Sequence, residues 1–169
     1  MHTIGGVEVY LVRHGIAEPR GAGDDARREL TAYGTERLRA AAAGLGRLSV
    51  EVERVLSSPY ARAWQTAEIL SEELGWPAPE AFEQLAPSAS GADCLSALGH
   101  RAGASLALVG HQPGLSELAS LLLAGDEQVV RIDLRKAGVA CLEAPVGLTP
   151  GSGILRWVAS ARMLRRLGR

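Results

Sequence analysis

An α/β fold, a three-layer α/β/α sandwich around a mostly parallel mixed sheet, is predicted by three features of this 169-residue sequence. Two nearly continuous apolar runs, Val7–Val12 and Leu106–Val109, read as strands covered on both faces rather than half-exposed ones. Segments of helical period alternate with the strands, a pattern that needs crossover connections and helices on both faces of the sheet. The last two strand candidates are joined by the turn-rich stretch Pro145–Gly151 instead of a helix, so they form an antiparallel hairpin and make the sheet mixed.

The elements follow in order. The first strand spans Val7 to Arg13 and gives way to a polar Gly/Asp/Arg loop through Arg28. Thr31 is placed to cap a helix in which Leu38, Ala41, Leu45 and Leu48 recur at helical spacing. A second strand near Val52–Ser57 precedes a helix from Pro59 to Leu74. Proline is tolerated in its first turn, and Ala63, Ala67, Leu70 and Leu74 share one side. Gly75 and Pro77 end it. A short apolar stretch at Ala81 and Phe82 leads into the turn residues Pro87 to Asp93 and a helix through about Leu98. A strand over Ser105–Gly110 and a helix over Pro113–Ala124 complete the alternation, and the hairpin pairs Val139–Glu143 with Ile154–Ala159. Trp157, Met163, Leu164 and Leu167 read as core or tail packing, and Trp64 as core or site wall.

In sheets of this kind ligands collect at the carboxyl ends of strands, and three strand ends here carry related chemistry. The first strand stops at Arg13, His14 and Gly15. The second turns through Ser57, Ser58 and Pro59 into a helix with Arg62 in its first turn, where anions are attracted. The strand ending at Gly110 is followed by His111. Imidazole is a competent nucleophile, and guanidinium grips phosphate oxygens bidentately. A phosphoryl group under attack spreads charge over its equatorial oxygens, so fixed cations and donors around it do most of the catalytic work. Arg13, Arg62 and His111 supply such groups and His14 is the candidate nucleophile, against ordinary strand-end or capping roles for each. Ser58 offers a hydroxyl or backbone donor to phosphate, against a plain capping role. His2 and His100 have no such context.

Taken together, these segments resemble the histidine phosphatase superfamily, the phosphoglycerate mutase-like fold, and within it the small SixA-type phosphohistidine phosphatase branch. Two further stretches are similar to the family's in the expected order: Arg28-Glu29-Leu30-Thr31-Ala32-Tyr33-Gly34, leading into the first helix, and Lys136–Ala140 with Gly153–Trp157, the closing strand pair. The resemblance implies that His14 attacks phosphorus through one ring nitrogen while the other donates to the carbonyl of Gly15, fixing the tautomer. Arg13, Arg62, His111, Gly15 and Ser58 would surround the phosphate. Water would then release phosphate from a phosphohistidine intermediate, with no metal and no cofactor.

The general acid is the open question. Gln112 stands where acid phosphatases of the superfamily carry an aspartic acid. Mutase-type members place a glutamate after the second helix, and Glu83 is the nearest candidate, against a solvated loop carboxylate; Glu18 and Asp24 are weaker ones. Leu85-Ala86-Pro87 fits the Leu-x-Pro of the SixA branch, in which the dedicated acid is missing. An alkoxide leaving group benefits greatly from protonation, whereas a phosphoramidate such as phosphohistidine expels imidazole with less help. About 30 residues separate Leu74 from Ser105, too few for a long helical cap, so an open, shallow groove is expected. The expected substrate is a phosphohistidine protein, the alternative a small phosphate ester, and the third reading a phospho-ligand module without turnover.

Composition agrees. The length predicts a single domain over 1–169, and 47 % apolar residues supply a core. A net charge of −1 argues against nucleic acid as a partner. Two distant cysteines, Cys94 and Cys141, suggest free thiols rather than a disulfide scaffold or zinc site. No basic-then-apolar leader and no long apolar run is found, so a cytoplasmic protein without membrane association is expected. Arg156, Arg162, Arg165, Arg166 and Arg169 are read either as a basic patch for an acidic protein partner or as solvated surface.

Overall fold

The computed structural model describes residues 6–99 and 103–169; His2 and His100 lie outside them. The strands are β1 (Gly6–Arg13), β2 (Arg54–Ser57), β3 (Glu80–Ala81), β4 (Ser105–Gly110), β5 (Val139–Pro145) and β6 (Ile154–Ala159). The helices are α1 (Ala32–Gly46), α2 (Ala61–Leu74), α3 (Gly91–Leu98), α4 (Gly114–Ala124) and α5 (Ala161–Leu167). All six strands join one sheet in the order β3-β2-β4-β1-β5-β6. Pairing is parallel from β3 through β1 and antiparallel where β5 meets β1 and β6, which is the mixed sheet expected from the terminal hairpin.

Each central strand is buried on both faces because its successive side chains enter two different cores. Tyr10 and Val12 of β1, Val55 of β2 and Ala107 and Val109 of β4 pack with Leu38 of α1, Ala63 of α2 and Leu164 of α5. The intervening Val9, Leu11, Leu56, Leu106 and Leu108 pack with Leu98 of α3 and Leu118 of α4. These two clusters on opposite faces are the three layers. Each fully buried aliphatic side chain contributes about 1.5–3 kcal/mol, so the two clusters anchor the central strands β1 and β4 from both faces.

Local chemistry sets the boundaries. Thr31 caps α1 as expected, its hydroxyl accepting from the Gly34 N–H at 2.8 Å. Leu48, expected on the same helical face, lies beyond the end of α1 and is exposed. Pro59 precedes α2 instead of opening it, since Tyr60 holds the N-cap position and its carbonyl takes the amides of Ala63 and Trp64. The tail contains a helix that was not expected: Ser160 caps α5 by accepting from the Met163 N–H, and α5 lies against α1. Gly44 makes that approach possible, because a Cβ there would overlap the carbonyl of Leu164. Of the tail's apolar residues Leu164 is buried, whereas Met163 and Leu167 are exposed. Trp157 packs on Tyr10, and half-buried Trp64 donates to Glu68 from outside the core. Among the described residues no helix is long and apolar enough to cross a membrane.

Candidate active site

The parallel arrangement of β2, β4 and β1 delivers their carboxyl ends to one edge of the sheet, and with them Arg62, His111 and His14. The His14 N–H continues the ladder by donating to the Gly110 carbonyl, which ties the end of β1 to the end of β4. The two imidazoles lie with ring centroids 4.9 Å apart at 53°. His14, His111 and Arg62 are 7 %, 5 % and 3 % exposed, so each presents only a small part of itself to a ligand.

His14 Nδ1 is 2.7 Å from the Gly15 carbonyl oxygen. A carbonyl can only accept, so Nδ1 carries the proton and Nε2 keeps its lone pair. Gly15 is itself held: its N–H donates to Thr66 Oγ1 at 3.0 Å, and that hydroxyl donates to the Arg62 carbonyl at 2.7 Å. Both backbone groups of Gly15 are therefore engaged inside the protein, where they orient His14. Ser58 is similarly occupied. Its Oγ lies 2.9 Å from His111 Nε2 and accepts from the Tyr60 N–H, while its own N–H donates to Val109. Fully buried, Ser58 fixes the His111 ring.

The arginines are anchored by oxygens set back from the cleft. Arg62 donates from Nη1 to the Asp25 carbonyl at 2.8 Å and from Nη2 to Asp25 Oδ2 at 3.0 Å. Asp25 Oδ1 takes Arg28 Nε at 2.8 Å. What little burial Asp25 has raises its pKa, but the bonds from Arg28 and Arg62 outweigh it and hold the carboxyl below its usual range. Arg13 donates from Nη1 to the Leu134 carbonyl at 3.0 Å. Arg13 Nε and Arg62 Nε are buried with no hydrogen-bond partner. A cleft of about 200 Å³ is lined by His14, Arg13, Arg62, His111, Gln112 and Lys136, with Arg20, Arg28 and Pro87 completing it. A small tetrahedral anion fits that volume and that charge.

Among the described residues no carboxylate is part of the lining. Glu83 sits exposed in a 3₁₀ turn over Glu83–Leu85 and is not one of the residues lining the cleft. Glu18 is exposed, and Asp24 caps the 3₁₀ turn at Asp25–Arg27. The Gln112 side chain is engaged with the Ser116 N–H and the Ile132 carbonyl. Among the described residues no group of three His, Cys, Asp or Glu side chains is placed to hold a metal ion.

Burial lowers the His14 pKa to about 4, with Arg62, Arg13 and Lys136 adding to the effect and the Gly15 hydrogen bond opposing it. Burial, then the proximity of His14 and Arg62, lowers that of His111 to about 3. Both rings are neutral near pH 7, as a nucleophile requires. The ordinary histidine value is near 6.5, so between there and about pH 4 the unfolded chain binds protons that the folded one refuses. Acidification through that window is expected to destabilise the fold, and the His14 imidazole resonances should titrate near pH 4 in an NMR series. A midpoint near 6.5 would contradict the buried, neutral ring.

The profile of the histidine phosphatase superfamily (branch 1) matches residues 9–88, which include His14 and Arg62. The phosphohistidine phosphatase SixA of Escherichia coli is 31 % identical over 158 residues, covering 91 % of this chain and 94 % of that protein. The chain belongs to the histidine phosphatase superfamily. This histidine phosphatase also matches a structure of the protein histidine phosphatase SixA complexed with tungstate, with a TM-score of 0.81 and 29 % identity over 92 % of this chain and 98 % of that one. A phosphoglycerate mutase from Bacillus anthracis, at 14 % identity, shares the fold over 98 % of both chains with a TM-score of 0.67. The mutase-like fold and the phosphatase class expected from the sequence are thus both found. Asp25, Thr66 and Lys136 were not among the sequence's site candidates, although Asp25 and Thr66 bond to Arg62 and Gly15 and Lys136 lines the cleft. Asp25 and Thr66 act through other residues, and no local spacing marks them.

Proposed function

We propose that this histidine phosphatase removes phosphoryl groups from phosphohistidine on a protein, by way of a covalent intermediate on His14. The observation that carries the proposal is the locked tautomer of His14 in a cleft of guanidinium groups without a lining carboxylate. His14 Nε2 attacks phosphorus as the bond from phosphorus to the substrate imidazole breaks, and the substrate nitrogen takes up a proton. Arg13, Arg62 and His111 hold the equatorial oxygens, on which charge accumulates. Water then attacks the phosphorus of phospho-His14, releasing inorganic phosphate and restoring the neutral ring. Gly15 and Ser58 act by orienting the two imidazoles. No metal or other cofactor enters these steps.

The substrate class follows from the leaving group. An alcohol leaves as an alkoxide unless an acid protonates it; Glu83 is exposed outside the cleft, and Asp25 is kept ionised by its arginines. A substrate imidazole is basic enough to take its proton from solvent near neutral pH. Support also comes from the relatives: the Escherichia coli protein is named for phosphohistidine, and tungstate in the similar structure is a tetrahedral oxyanion like phosphate. A single domain over 1–169, working in the cytoplasm with Cys94 and Cys141 as free thiols, fits this role.

The test is phosphate release, with a metal chelator present, from a phosphohistidine protein against p-nitrophenyl phosphate and sugar and glycerate phosphates. Strong preference for the phosphohistidine protein is expected, and Glu83→Gln should change neither rate appreciably. Preference for one ester, with a loss of about 10² on that ester in Glu83→Gln, would instead make the chain a small-molecule phosphomonoesterase with Glu83 as its acid.

A further inference from the structure

A second groove, of about 390 Å³, adjoins the phosphate cleft and shares Arg13 and Lys136 with it. Arg37 of α1, Arg135 and Lys136 of the segment before β5, and Arg165 of α5 form its cationic wall, with Tyr33 of α1 beside them. No carboxylate lines it. Arg37 lies over the Tyr33 ring at 5.3 Å. Among the described residues Arg37, Lys136 and Arg165 make no ion pair, whereas Arg135 reaches Asp133 in an exposed one at 2.7 Å. Burial lowers the Arg165 pKa, and Arg37, Arg169 and Arg162 lower it further against an opposing contribution from Tyr33, so these cations crowd one another.

The other side of Arg13 is different. A groove of about 520 Å³ there includes Glu117, Glu127 and Asp133 in its wall, with Arg131 the only other cation beside Arg13 among the described residues. The phosphate cleft therefore lies between a basic flank and a predominantly acidic one. Such a field turns an approaching partner so that its own negative side meets the basic flank.

We propose that the groove formed by Arg37, Arg135, Lys136 and Arg165 docks carboxylate side chains that flank the phosphohistidine on the protein substrate. The inference rests on the protein-phosphatase reading and adds to it a preference for phosphohistidine in acidic surroundings. Partly exposed arginines on α1 and α5 suit mobile carboxylates on a protein surface better than a metabolite, which needs an enclosed site. The arginine-rich tail thus contributes through Arg165, and α5 brings that residue to the groove beside the cleft.

The experiment uses two phosphohistidine peptides, one flanked by glutamates and one by glutamines, together with free phosphohistidine. Each is assayed with the wild-type chain, Arg37→Glu/Arg165→Glu and Arg37→Lys at low and at physiological salt. For the wild type, the glutamate peptide should be preferred, and salt should erode that preference. In the charge-reversed variant, kcat/KM on this peptide should fall by about tenfold or more, through KM, while free phosphohistidine is cleaved at the wild-type rate. Arg37→Lys should keep most of the preference, because the groove supplies charge rather than fixed geometry. Equal hydrolysis of the two peptides by the wild type, or an unchanged preference in the charge-reversed variant, would overturn the groove's role and leave the proposed function standing. Cleavage of free phosphohistidine but of neither peptide would overturn the protein-phosphatase reading and this inference with it.

Discussion

Replacing His14 with alanine is expected to abolish covalent labelling from a radiolabelled phosphohistidine substrate and to lower turnover by about 10³ or more. The size of the loss follows from the site's construction. The His14 Nδ1–H donates to the Gly15 carbonyl, which leaves Nε2 unprotonated for the proposed attack on phosphorus. His111, the other imidazole of the cleft, has its Nε2 against Ser58 Oγ. Rapid quenching under alkaline conditions, which preserve phosphohistidine, would show the labelled intermediate in the wild type and none in His14→Ala. Thermal unfolding of both proteins would show whether the variant keeps its fold. Wild-type turnover in a folded His14→Ala protein would exclude the covalent mechanism.

Arg62→Ala should have the next largest effect, lowering kcat/KM by about 10²–10³ with both KM and kcat affected, since the guanidinium meets charge in the ground state and in the transition state. Removing the guanidinium also releases Asp25 from its forked contact. The ionised carboxylate would remain beside the cleft, held by Arg28 and repelling the phosphate that Arg62 used to attract. Two further variants separate these contributions. Arg62→Lys should rescue little, because an ammonium cannot bridge Asp25 and phosphate with one planar fork. Arg62→Ala/Asp25→Asn should recover part of the KM and little of the kcat. Full activity in Arg62→Lys would show that charge alone suffices, and identical KM values in the single and double variants would remove Asp25 from the account.

Chemistry that a single side chain performs was easier to read from the sequence than chemistry that depends on a pair. His14 and His111 each end an apolar run, and Arg62 falls in the first turn of a helix after a strand, so strand-end reasoning named all three, and the structure places them around one cleft. The central strands were legible for a related reason: burial on both faces leaves an uninterrupted apolar run. Asp25 was not legible. It lies in a loop without periodicity, and its importance comes from Arg62, 37 residues further along. Gly15 and Ser58 were picked out as neighbours of phosphate, but whether a backbone amide or hydroxyl faces a ligand or another residue is decided by tertiary contacts, here with Thr66 and His111. The signal for α5 was present in Ser160 as a cap and Leu164 at the right spacing. Its seven residues between arginines made it resemble a solvated tail until its packing against Gly44 was seen.

The strand that ends at His14 occupies an interior place in the sheet, with β4 on one side and β5 on the other. Because His14 and His111 extend from the adjacent strands β1 and β4, their separation is fixed by backbone hydrogen bonds rather than by loops that open and shut. Pulling the two rings apart would require breaking the ladder at the middle of the domain, a motion as rare as unfolding itself. The two imidazoles therefore stand at one spacing before any ligand arrives, so that binding need not assemble them.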